Sequence, residues 1–208
     1  MEVQTTGIMA RLREETREDH EHSERRPLER ALFAGTLPRD RYIALLGQRY
    51  LMHAALEGAL LRWRGDDPVR ATVVCEELMQ TPQLCSDLWH FGLEPSRIDP
   101  IPPTAEFIRL LAAAEGSSRL LGALYVLEGS KNGARIIAPR VQKAYGLSGG
   151  GTAYLDPHGP QQRAYWERFK QAMDALPLKE SEADEIVAMA RETFAAIAKI
   201  DDALYPGT

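Results

Sequence analysis

The sequence predicts an all-α fold. Almost every apolar segment repeats at helical spacing, and none alternates as a half-buried strand would. Glycine and proline breaks divide the chain into pieces of helical length. The composition, 44% hydrophobic and 26% charged over 208 residues, is that of a globular chain with a core large enough to enclose a ligand. One compact helical domain, residues 1–208, is the expected organisation, and not an up-down four-helix bundle.

The elements follow in order. Thr6 is a plausible N-cap for a first helix that carries Ile8, Leu12, Thr16, His20 and Glu24. Pro27 ends it or opens a short helix, Leu28 to Ala34. Gly35 and Pro38 mark a turn before a long helix, about Arg39 to Arg64, with Tyr42, Leu45, Leu46, Tyr50, Ala54 and Leu61 at apolar positions. After Gly65-Asp66-Asp67-Pro68, shorter helices are expected over Val69 to Met79 and Gln83 to Phe91. Asp99-Pro100-Ile101-Pro102-Pro103 reads as a loop, because proline lacks the backbone donor and restricts its predecessor. A helix from Ala105 to Ala114 precedes a long one from Ser117 to about Tyr145. Residues 146–160, rich in glycine, form an irregular connection. Helices over Gln161 to Ala175 and Glu182 to Leu204 close the chain.

The formal net charge of -5 argues against a nucleic-acid groove, which needs a basic face. Cys75 and Cys85 match neither a zinc-site spacing nor a disulfide framework, so two reduced thiols are expected. Met1 to Thr6 lacks the charged and apolar regions of a secretory leader, and no apolar run reaches the ~20 residues of a membrane span. A cytoplasmic protein without membrane contact is the expectation.

Two features stand out against this background. The first is His20. Ile8, Leu12, Thr16 and His20 step by four and share one stripe, which is apolar at its start and polar at its end. A polar end on an inward face needs a partner, either a hydrogen bond or a metal. A single histidine on a helix is more often a plain core or surface residue. His22 lies about 200° around the helix from His20, so the two cannot share one ligand. Arg13 and Arg17 lie near the same face, where solvated charge and carboxylate recognition are the two readings.

The second feature is Leu124-Tyr125-Val126-Leu127-Glu128-Gly129-Ser130-Lys131-Asn132-Gly133-Ala134-Arg135. Its flanks are strongly helical, yet Gly129 and Gly133 share one face inside it. Each glycine costs about 1 kcal/mol relative to alanine there. Either another helix crosses closely, or a flat ligand lies against bare backbone. The pair also permits a kink.

With these residues in view, the sequence resembles the heme oxygenase family. Leu12 to Glu24 is similar to the family's first helix, Tyr50-Leu51-Met52-His53-Ala54-Ala55-Leu56-Glu57 to its second long helix, and Tyr125-Val126-Leu127-Glu128-Gly129-Ser130 with Gly133 to its distal helix. The resemblance implies heme b, as substrate and cofactor, between the first helix and a kinked distal helix. It implies cleavage by O2 and electrons from an external ferredoxin or flavin reductase, giving biliverdin, carbon monoxide and ferrous iron. By position, His20 becomes the axial iron ligand, with Glu24 as acceptor for its second ring nitrogen. Gly129, Ser130 and Gly133 form the catalytic distal face. Arg13, Arg17 and, by a looser match, Arg191 become propionate-facing groups, and Tyr50 supports the distal water. A bacteriophytochrome is a candidate taker of the biliverdin.

Two departures bear on the chemistry. Ser130 stands where many members carry an aspartate that organises water, and Lys131-Asn132 replace residues usually small or apolar. Three rivals stay open at this point. A heme-oxygenase-like di-iron protein would need converging carboxylates and histidines, for which His53, Glu57 and Glu128 are sparse. A non-catalytic heme carrier or sensor would bind with the same residues. A purely structural helical protein would use the glycines for packing.

Overall fold

A computed structural model describes residues 7–206. Those residues form ten α-helices and three short 3-10 turns, with no strand among them. The expected Thr6 cap lies outside the described residues, and Gly7 precedes the first helix.

The expected first helix is two. α1 (Ile8–Glu15) and α2 (Arg17–Glu24) meet at Thr16, whose backbone leaves helical geometry at φ -110, ψ 9. The Thr16 hydroxyl donates to the Leu12 carbonyl at 2.6 Å, a back-bond of the kind that bends helices. α3 (Pro27–Ala34) opens on proline and ends at Gly35, with φ +70. α4 (Arg39–Arg64) has the predicted bounds and ends at Gly65. Beyond it the expected Val69 to Met79 helix is shorter. α5 (Pro68–Val73) is capped by the Asp67 carboxylate, which accepts from the backbone N–H groups of Val69 at 2.8 Å and Arg70 at 3.1 Å. A 3-10 turn, Glu76–Leu78, follows before α6 (Thr81–His90).

The predicted loop through Pro103 is also corrected. α7 (Pro102–Ala113) begins on both prolines, because the first helical turn has no carbonyl for those missing N–H groups to meet. α8 (Leu120–Tyr145) starts three residues later than expected and runs helical without a break through Gly129, Gly133 and Pro139. α9 (Gln162–Asp174) and α10 (Glu180–Leu204) complete the fold. No described helix is long and apolar enough to cross a membrane.

α8 and α10 form the spine. Their crossing is so close that a Cβ placed on Gly122 would lie 2.0 Å from the Ile186 carbonyl oxygen and 2.8 Å from the Ala190 nitrogen. Only glycine permits this approach. α4 packs on α6, α7 and α8, while α1 and α9 touch each other beside α10. One contiguous apolar core joins these elements, from Leu12 and Leu28 through Met52, Leu60 and Phe107 to Ile186 and Ile200.

Candidate functional site

The Thr16 break brings the α1–α2 junction against α8. The Tyr125 phenol lies beside the Thr16 hydroxyl and the Arg13 guanidinium; burial raises its pKa, and those two neighbours partly offset the rise. One turn beyond Thr16 on α2 stands His20. One turn beyond Tyr125 on α8 stands Gly129.

His20 is not the buried end of a stripe. Thr16 is buried, but the His20 side chain is 57% exposed, and α2 buries no residue at all. The ring packs edge-on against Phe194 of α10, centroids 5.8 Å apart. Its Nε2 is 3.8 Å from a Glu24 carboxylate oxygen, near enough for attraction and too far for a hydrogen bond. An imidazole braced on an aromatic edge, with ring nitrogens unbonded, is competent to ligate a metal centre.

The two glycines differ. A Cβ on Gly129 would sit 3.5 Å from the Trp166 ring of α9, whereas one on Gly133 would meet nothing within 4 Å. Trp166 in turn stacks with Phe169 and lies near Tyr125, with centroids 5.5 and 6.1 Å away. The glycine face is therefore aromatic at one end and open at the other. The Ser130 hydroxyl donates to the Leu127 carbonyl at 2.8 Å, and the Asn132 amide to the Gly129 carbonyl at 3.1 Å. Ser130 has spent its proton on its own helix and retains acceptor lone pairs.

The three arginines are not equivalent. Arg17 approaches Glu14 at 3.9 Å, and Arg191 donates twice to the Glu15 carbonyl, at 2.8 and 3.1 Å, capping the broken end of α1. Both line an open cleft with Glu14, Glu15, Glu18 and Asp19, a setting rich in carboxylates. Arg13 has no carboxylate partner among the described residues. Tyr50 is half-buried on α4 and makes no side-chain hydrogen bond among the described residues.

Sequence reasoning did not anticipate the polar interior behind α8. Arg49, His53 and Glu57 lie on the buried face of α4. Arg49 reaches Asp201 of α10 at 3.0 Å and Glu29 at 3.7 Å. Asp87 accepts the backbone N–H groups of Ala153 and Tyr154, each at 2.8 Å, and so holds the Tyr154 hydroxyl 3.3 Å from His53 Nε2. His53 Nδ1 is 3.3 Å from Glu57, and burial pushes this imidazole down. Lys131, 2% exposed, pairs with Glu128, 1% exposed. The available signal was the i, i+4, i+8 spacing of Arg49, His53 and Glu57 along one face of the long helix. No group of three or more His, Cys, Asp or Glu able to hold a metal ion converges among the described residues.

Comparison with known proteins follows this geometry. The heme oxygenase family model matches residues 6–201. Heme oxygenase 1 of Synechocystis is 25% identical over 204 residues, covering 92% of this chain and 82% of the relative. The crystal structure of heme oxygenase-1 from Synechocystis in complex with heme superposes with a TM-score of 0.87 at 23% identity, covering 96% of this chain and 93% of that one. A TenA homologue from P. horikoshii shares the fold more distantly, with a TM-score of 0.67 at 16% identity over 98% of this chain and 100% of that one.

Proposed function

Because this chain belongs to the heme oxygenase family, we propose that it opens heme to biliverdin, carbon monoxide and ferrous iron, using dioxygen and electrons from a ferredoxin or flavin reductase. A bacteriophytochrome is a candidate acceptor of the biliverdin. Beside the family match, what supports this reading is an exposed imidazole on α2, with no hydrogen bond among the described residues, and a glycine face on α8 that is open at Gly133. The residues present fit a flat porphyrin. His20 offers a ring nitrogen, Phe194 an aromatic edge, and Gly133 a surface with no side chain to clear.

When bound, heme supplies the redox-active iron and the ring carbon that is oxidised. The protein does the rest. His20 would hold the iron through an imidazole nitrogen, without the strong electron push of a thiolate. Glu24 is placed to orient that ring after a small side-chain rotation. Gly129 and Gly133 would leave room for a diatomic molecule and a water at the bound heme. Ser130 would accept a hydrogen bond from that water and so position it. Arg13, with no carboxylate partner among the described residues, would pair with a propionate; Arg17 would join it only by leaving Glu14. Tyr50 of α4 would support the distal water.

His20→Ala followed by heme titration tests the assignment. The expected result is loss of the imidazole-ligated spectrum and of biliverdin formation. Unchanged axial ligation would remove His20 from the site. In the parent protein with heme, oxygen and reductant, a persistent Soret band without biliverdin would reassign the chain as a heme carrier. Absence of any Soret band would reject heme altogether.

A further inference from the structure

Resting on the heme-cleaving reading, we infer that Lys131 is a positioning residue that sets the depth of the distal glycine face and so selects which ring carbon is opened. Lys131 lies midway between Gly129 and Gly133. Two residues of α-helix turn about 200°, so its side chain leaves from the opposite face. The glycine face has little to hold it in place: nothing lies within 4 Å of a Gly133 Cβ position, and only Trp166 near that of Gly129. The helix must be fixed from behind.

Behind it, the contacts are polar and buried. Lys131 Nζ donates to the Leu78 carbonyl at 3.3 Å. The same strap, Leu78 to Thr81, is gripped from α4: Glu57 accepts from the Gln80 N–H at 2.6 Å and from the Thr81 N–H at 3.2 Å, and caps α6 in doing so. Residues 78–81 therefore tie α4 to α8 through one carboxylate and one ammonium. Glu128 pairs with the same ammonium from one turn away on α8; burial lowers the lysine's pKa, and the carboxylate partly offsets that fall. Met, the nearest apolar match in shape, would fill the space and lose the strap. The geometry is thus a tether with a charge balance built into it.

The test uses Lys131→Met, Glu128→Gln and the double variant in the full chain. Heme affinity and Soret position are measured first, then the hyperfine-shifted heme-methyl NMR pattern of the ferric cyanide complex, then the biliverdin isomers by chromatography. Lys131→Met is expected to bind heme with its axial ligation intact, to shift the methyl pattern, and to change the isomer ratio about tenfold, less than the ~100-fold a 1 Å misplacement can cost. Glu128→Gln, which keeps a hydrogen-bonding partner, should lie between Lys131→Met and the parent. A methyl pattern and isomer ratio identical to the parent in heme-binding Lys131→Met would overturn the inference. If Lys131→Met does not fold, the same identity in Glu128→Gln overturns it. Failure of the parent to make biliverdin sinks the functional reading instead, and the NMR pattern still reports on the tether.

Discussion

The two helices that carry the candidate site are built on opposite terms. α2 buries none of its eight residues, while α8 buries twelve of its 26. α2 is held by side chains that reach in from elsewhere: Arg191 on the Glu15 carbonyl and, just past its end, Arg26 on Asp202 at 3.1 Å. α8 is wedged against α10 at Gly122 and tethered from behind at Lys131. Under the proposed function, a chain that admits and releases a large flat ligand gains from one yielding wall. Local stability is not uniform in a fold, and an element with few buried contacts opens more readily than a well-packed one. The fixed wall can then determine geometry.

The sharpest way to break this comparison is to add one methyl group at two glycines of α8. Gly122→Ala drives a Cβ into the Ile186 carbonyl, so the helices must part. Overpacking of that kind is expected to lower the unfolding free energy by about 3 kcal/mol in urea titration. Gly133→Ala meets open space. It is expected to raise the stability of the ligand-free protein by about 1 kcal/mol, the helix-propensity gain, while slowing heme cleavage. A Gly133→Ala protein that is both less stable and fully active would show that this face packs against protein and not ligand.

The contrast also explains what was legible in the sequence. α4 was readable to the residue because Pro38 and Gly65 punctuate it at both ends. The first helix was read as one because its apolar stripe runs on through Thr16; the hydroxyl back-bond to Leu12 marks the break, and Tyr125 and Arg191, distant in sequence, meet the chain there. His20 was read as lying on the inward face, whereas its side chain is 57% exposed. At Pro102 and Pro103 the residues were read as breakers when their place in the first turn makes them starters. The ion pair of Lys131 and Glu128 was invisible for a different reason. Two charges three apart on a helix normally mark a solvated face, and only the tertiary cover of the Leu78 strap makes them interior.

A middle-sized effect separates the buried interior from the exposed cleft by pH. Asp201 is pushed up to about 7, chiefly by burial, with Arg49 pulling it down and Glu29 pushing it up. In the unfolded chain an aspartate titrates near ~3.9. Between those values the folded protein holds a proton that the unfolded chain has released. The stabilising contribution is therefore present below the lower value and is lost as pH rises through the upper one. Asp201→Asn mimics the protonated form, so its stability should fall less from pH ~4 to ~7 than the parent's. Parallel curves from paired denaturant titrations would show that this carboxyl is charged throughout.

The smallest effect is expected at Arg191, and it decides between two roles for one side chain. In the structure its guanidinium caps α1 by donating twice to Glu15. Such exposed, partly screened hydrogen bonds are worth about 1 kcal/mol. Arg191→Met should speed amide hydrogen exchange in α2 and weaken heme binding a fewfold, leaving exchange in α8 unchanged. Arg191→Lys keeps the charge but loses the forked pair of donors. If the fork is what matters, lysine should behave like methionine, and slow exchange in α2 should not return. Should lysine instead restore heme affinity fully while α2 still exchanges fast, the charge acts on the ligand directly and the cap is incidental. Exchange measured with and without heme on the same three proteins separates these outcomes, because only a cap protects α2 before the ligand arrives.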